Sequence, residues 1–172
     1  NVVDDELVVE EKGIYSVEKF IIARRLMYWQ VYLHKTGLVA EQLLIRVLKR
    51  AKELHDLGHK LQASDALMYF LKNKISIINF KNDTLEVFSQ LDDYDIISAM
   101  KQWQHHDDFV LSNLSEMIIN RNLLKIKLKN KKIKESSLKK HIETIMTKYQ
   151  ISEDEARYFV FTGNISNQAY QL

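Results

Sequence analysis

The 172-residue sequence has no cysteine and no proline, and only four glycines. Without cysteine there is no disulfide framework and no cysteine-ligated metal site, and the composition suits a reducing cytoplasm. Without proline, and with so little glycine, long uninterrupted helices are favoured. No apolar run is long enough to span a bilayer and no signal-peptide pattern opens the chain, so no membrane role is expected. There is no glycine-rich phosphate loop, no Ser-His-Asp logic and no paired-carboxylate motif that spacing supports. Charge is nearly balanced, 25 Lys and Arg against 23 Asp and Glu, but it is unevenly spread. Between Lys125 and Lys140 eight Lys stand against one Glu. The length suffices for a real core, as one domain or one domain plus an appendage. Because it begins at Asn1 rather than Met and stops at Leu172 without a terminator signal, the chain reads as a piece of a longer protein.

The segment from Tyr15 to Thr36 has neither Gly nor Pro and is too apolar and aromatic for an ordinary surface helix. At 100° per residue it has two faces. Ile22, Leu26, Trp29 and Leu33 form an apolar ridge, whereas Arg24, Tyr28, Tyr32 and Lys35 occupy a sector roughly opposite. Such a helix is expected to be buried, Trp29 and Leu33 included, and a buried Arg24 needs an anion. Arg and Tyr at whole-turn intervals, with a Lys one turn further, suit a phosphate-bearing ligand with a flat sugar or base. The bland alternative is a core helix whose Arg meets a neighbouring carboxylate and whose tyrosines simply pack.

The same segment carries a resemblance. Arg24-Arg25-Leu26-Met27-Tyr28, then Val31-Tyr32 and His34-Lys35-Thr36, opened by Tyr15-Ser16-Val17-Glu18-Lys19-Phe20, resembles the helix that follows the catalytic core in HD-domain phosphohydrolases. The branch is that of the deoxynucleoside triphosphate triphosphohydrolases, dGTPase-like proteins included. The resemblance continues in order through Ala40 to Leu44, Arg50 to Leu54, Tyr94 to Trp103 and Ser152 to Gly163. It implies hydrolysis of a dNTP to deoxynucleoside and triphosphate with a divalent metal, in an oligomeric parent protein whose HD core lies outside this chain. Arg24 then matches an arginine gripping substrate phosphates, Tyr32 a tyrosine packed against the deoxyribose, and Lys35 a lysine at an effector site on a subunit interface. Tyr28 stands where the vertebrate members of that branch have a His. On this register every metal ligand of the family precedes Asn1.

Other candidates weigh less. His55-Asp56 and His59, with His34 upstream, resemble the metal-binding dipeptide of the HD family, but sit in the wrong register. They read instead as a helix end entering a turn, and are rejected as metal ligands. His105-His106-Asp107-Asp108 joins two helices, with Asp107 or Asp108 as N-cap. The lysines of 125–140 read as a solvated strand face, with no interleaved aromatics for single-stranded nucleic acid.

The expected architecture is mainly α with a small α+β appendage. Residues 1–121 would hold a hairpin around Lys12-Gly13 and a helix from Ser16 to Lys35. A break at Thr36-Gly37 is followed by helices at 38–54, 66–71 (capped by Ser64-Asp65), 84–91, 93–105 and 107–120, with 73–83 irregular or extended. Residues 122–172 would form a β-α-α-β unit, truncated at its end. Its strands would lie at 124–130 and 157–162, with helices from Ser136 and from a capping box at Ser152 to Glu155. A competing reading is a non-catalytic helical interaction module with a basic docking surface for protein or nucleic acid.

Overall fold

The computed structural model describes residues 1–76, 80, 82–129, 131 and 133–164. Parts of three expectations lie outside them: the segment 73–83 at 77–79 and 81, the lysine run at 130 and 132, and the appendage at 165–172. The fold is mainly α. Among the described residues the helices are α1 (Ile14–Met27), α2 (Lys35–Asp56), α3 (Asp65–Lys72), α4 (Asn82–Gln90), α5 (Asp93–Trp103), α6 (Phe109–Ile119), α7 (Glu135–Tyr149) and α8 (Glu153–Ala156). No described helix is long and apolar enough to cross a membrane. The chain divides into two compact units, one containing 1–38 and one spanning 39–162. Residues on both sides of 121 thus belong to the same unit.

The first unit opens with a short antiparallel hairpin, β1 (Val2–Val3) and β2 (Glu6–Leu7), in the register Val2 to Leu7 and Val3 to Glu6. Its two-residue turn is Asp4-Asp5, at φ 51° and 62°, the left-handed pair that a tight hairpin requires and that Asp tolerates. The hairpin is therefore not centred on Lys12-Gly13, which lie in a 3-10 turn leading into α1. Ser16 does not cap α1; the helix begins two residues earlier, behind Gly13. Gly37 does not interrupt α2, because a single glycine costs a helix only about 1 kcal/mol.

The second unit is built on α2. Val39, Leu43, Val47, Ala51 and Leu54 recur at three- and four-residue intervals and are all buried, one apolar stripe of an amphipathic helix. Leu67 and Leu71 of α3, Ala99, Met100 and Trp103 of α5, and Val110, Leu111 and Leu114 of α6 complete the cluster. Tyr158 and Phe159, just beyond α8, close it. Helix starts follow the sequence signals. Ser64 accepts from the Leu67 amide, Asp92 and Asp95 form a reciprocal capping box, Asp108 accepts from the Leu111 amide, and Ser152 and Glu155 cap α8.

The two C-terminal strands are absent among the described residues. Leu124 and Ile126 lean on the core while Lys125 and Lys127 are exposed, so the alternation is real, but the segment forms no ladder with any described strand. Its expected partner folds into tight turns instead. The Tyr158 amide donates to Glu155 and those of Phe159 and Val160 to Ala156, which buries two consecutive aromatics rather than alternate residues. Among its described residues the appendage therefore has two helices, α7 and α8, and no strand.

Candidate functional site

The candidate site residues all fall in the first unit, on α1, on the turn beyond it and at the start of α2. The helix does not run straight to residue 35. At Tyr28–Tyr32 it widens into a π-helical turn, with the Leu33 amide donating to the Tyr28 carbonyl five residues back. Single π turns recur at functional sites because they re-aim side chains within a helix. Here the run Tyr28-Trp29-Gln30-Val31-Tyr32 gives no sequence signal that marks one.

Three of the four candidates stack in a column. The Arg24 guanidinium carbon lies 5.8 Å from the centre of the Tyr28 ring. The Tyr28 and Tyr32 rings are 5.1 Å apart and inclined by 43°. One cation followed by two rings, each a turn further on, presents positive charge and two flat apolar faces side by side. Lys35, the first residue of α2, is exposed. Nearby, the Thr36 amide donates to His34 Nδ1 at 3.3 Å.

The expectation of burial fails for this helix. No residue of α1 or of the π turn is buried. Arg24 is exposed, Trp29 and Tyr32 are 58% and 59% exposed, and Leu33 is half-buried. The two-faced pattern is present, but no described element of the first unit covers it. Periodicity identifies a face that calls for a partner and says nothing of where the partner resides.

His55, Asp56 and His59 form a helix end. The Gly58 amide donates to His55 and the His59 amide to Leu54, with Gly58 at φ 87°. This is a glycine-terminated C-cap. His55 Nδ1 is 3.9 Å from Asp56, and the His59 ring stands 6.1 Å from that of His106. Among the described residues no three His, Asp or Glu side chains converge as a metal site requires.

The second unit holds a polar network that the sequence did not reveal. Asp108, the N-cap of α6, also accepts from Arg50 Nε at 3.1 Å and from a second Arg50 nitrogen at 2.6 Å. Arg50 donates further to Glu53 at 3.4 Å, which accepts the Tyr158 hydroxyl. Burial pushes the Asp108 carboxyl up, but the bonds from Arg50 and from the Leu111 amide outweigh it and hold it below the usual range. Burial and Glu53 together push the Tyr158 phenol up. Asp108 is legible as a cap; its partner, 58 residues away, is not.

Residues 1–74 match the family model described as the HD associated region. The chain is 38% identical over 120 residues to the uncharacterized protein YwfO of Bacillus subtilis, covering 70% of this chain and 26% of that protein. Its structure superposes on the crystal structure of a phosphohydrolase from Bacteroides thetaiotaomicron with a TM-score of 0.88. Identity there is 50%, over 91% of this chain and 40% of that one. The chain thus spans well under half the length of either relative, and all four candidate residues lie inside the region matched by the family model.

Proposed function

We propose that this chain is the part of a metal-dependent HD-type phosphohydrolase that follows its catalytic core, and that the substrate is a deoxynucleoside triphosphate. The match of residues 1–74 to an HD associated region and the likeness to a solved phosphohydrolase support the association. The observation that carries the substrate reading is the column of Arg24, Tyr28 and Tyr32. In the parent protein the divalent metal would activate the hydroxide that attacks the α-phosphorus. No described cluster in this chain fits that metal, so its ligands are assigned to the HD core.

What this chain contributes is one wall of the pocket. The Arg24 guanidinium compensates phosphate charge that grows in the transition state. Tyr32 closes on the deoxyribose and excludes a 2′-hydroxyl by shape, and Tyr28 holds the Tyr32 ring from behind. Lys35, one turn away and exposed, is assigned to an effector or subunit contact. The apolar side of α1, bare in this chain, is assigned to the HD core and to a second copy in a homo-oligomer.

The test is hydrolysis of the four dNTPs by the full-length protein with Mn²⁺ or Mg²⁺. Arg24→Ala should lower kcat/KM by at least about 100-fold, as expected for a charge-assisted contact to developing negative charge. Because Arg24 is exposed, the melting temperature should hardly move. Tyr32→Ala should instead relax discrimination against ribonucleotides. A folded full-length protein inactive on all four dNTPs and on simpler phosphoesters would refute the reading. So would an Arg24→Ala protein that unfolds while its activity per folded molecule stays normal.

A further inference from the structure

A second feature lies in the other unit, 39–162, and does not depend on the column of α1. A cleft of about 400 Å³ is lined by Arg46, Lys49 and Arg50 of α2 and by Arg157 and Tyr158 beyond α8. The α2 cations stand three and four residues apart, hence on one helix face. The acids lining the cleft are Glu53 and Asp154.

Two of the four cations are already committed. Arg50 is held by Asp108 and Glu53, and Arg157 is paired with Glu153. Lys49 reaches Glu53 only at 3.8 Å, with its side chain 64% exposed. Glu53 is meanwhile engaged by Arg50 and by the Tyr158 hydroxyl. Arg46 has no ion pair among the described residues. Its guanidinium carbon lies 3.4 Å from the centre of the Phe161 ring, and its Nε is buried without a hydrogen-bond partner. That Nε is closed to solvent and so to any occupant of the cleft, which leaves the terminal nitrogens of Arg46 as the donors an anion could meet. Stacking on a ring uses the face of a guanidinium and leaves its in-plane donors for an anion.

We propose that this cleft binds a phosphate-class anion carrying at least two negative charges, with Arg46 and Lys49 as the residues that hold it. Two under-compensated cations on one helix face match two charges, which a lone carboxylate cannot supply. The guanidinium fork of Arg46 fits two phosphate oxygens, and Lys49 adds a point charge. Arg50, fixed by Asp108, keeps the α2 wall of the cleft in place. The volume lies within the range of small-molecule sites and exceeds what a single inorganic phosphate fills.

Isothermal titration of sodium pyrophosphate into the chain tests this. Saturable binding at one site per chain is expected, weakened about tenfold or more by Arg46→Gln, a loss typical of a charge-assisted contact. Lys49→Gln should weaken it several-fold, and Lys101→Gln, an exposed cation of α5 outside the cleft, should leave it unchanged. Adenosine monophosphate titrated in parallel tells an ester-borne phosphate from an inorganic one. No heat at millimolar pyrophosphate, or affinity unchanged in a folded Arg46→Gln protein, would overturn the proposal. If Arg46→Gln loses its circular dichroism, the exposed Lys49 decides alone, and unchanged affinity in Lys49→Gln overturns it. Tighter binding of citrate than of pyrophosphate would overturn the phosphate class.

Discussion

Asp108 performs two tasks with one carboxylate, and replacing it separates them. It caps α6 through the Leu111 amide at 2.8 Å and takes two bonds from Arg50. The two side chains of that pair are only 11% and 16% exposed. Losing a cap costs about 1 kcal/mol, and breaking a fully buried ion pair costs about 3–5 kcal/mol because the surviving charge is stranded. Here Arg50 keeps Glu53 at 3.4 Å and burial is incomplete, so the lower half of that range or less applies. Asp108→Ala should therefore destabilise the second unit by about 2–4 kcal/mol, and Asp108→Asn, which can still cap, by about 1 kcal/mol less. The acid dependence has a definite sign. The carboxyl is held below its ordinary range in the folded state, so the unfolded chain binds the proton more readily. The contribution is complete above the ordinary Asp pKa of about 3.9 and is lost as pH falls through the lowered folded value. Urea unfolding followed by Trp103 fluorescence, in a Trp29→Phe background, reads this unit alone, since the chain has two tryptophans. The difference in urea midpoint between that background and the same protein carrying Asp108→Asn should be open at pH 7 and narrow below about pH 4. Equal midpoints for the two proteins at pH 7 would mean that the pair contributes nothing net, and the reasoning would be refuted.

What the sequence disclosed was local. Ser64, Asp108 and Ser152 all cap helices, because a short polar side chain reaching an amide three residues on needs nothing from the rest of the fold. The stripe from Val39 to Leu54 is equally readable, since its burial follows from spacing alone once a core exists. Apart from the local misreadings at Lys12-Gly13, Ser16 and Gly37, the errors concern pairing at a distance. Leu124 to Lys127 has the alternation of a strand, with both lysines exposed, yet a strand exists only if an edge is offered to it. Tyr158 and Phe159, on the segment expected to offer that edge, are instead drawn into the core, Phe159 beside Phe109 and Tyr149. The same limit explains α1, whose apolar ridge is plain in the spacing but whose cover is not supplied by any described element of its unit. It also explains Arg50, whose partner is set by the approach of α2 to the start of α6. The candidates of the α1 column are marked by resemblance and by whole-turn spacing, and the structure adds their stacking and the π turn beneath it.

The two tryptophans should respond oppositely to truncation. Trp103→Ala removes a ring that is 1% exposed and should cost about 3–5 kcal/mol, whereas Trp29→Ala, at a site 58% exposed, should change stability by no more than about 0.5 kcal/mol; thermal unfolding of the two variants checks both. The bare side of α1 leads to the final expectation, that the isolated chain self-associates or binds a hydrophobic dye. Phe20, Ile22, Leu26 and Trp29 are each more than half exposed, on a stretch of helix with no buried residue at all. Apolar area at that density is unusual on a monomer surface and marks an interface. Light scattering should therefore report species larger than one chain, or a dye such as ANS should bind, and Leu26→Ser with Trp29→Ser should reduce either signal without lowering the melting temperature. The polar column of Arg24, Tyr28 and Tyr32 is untouched by those changes, so the double variant isolates the apolar side. A strict monomer with no dye binding would mean that this face is adequately solvated as it stands, and the assignment of α1 to a partner surface would fall with it.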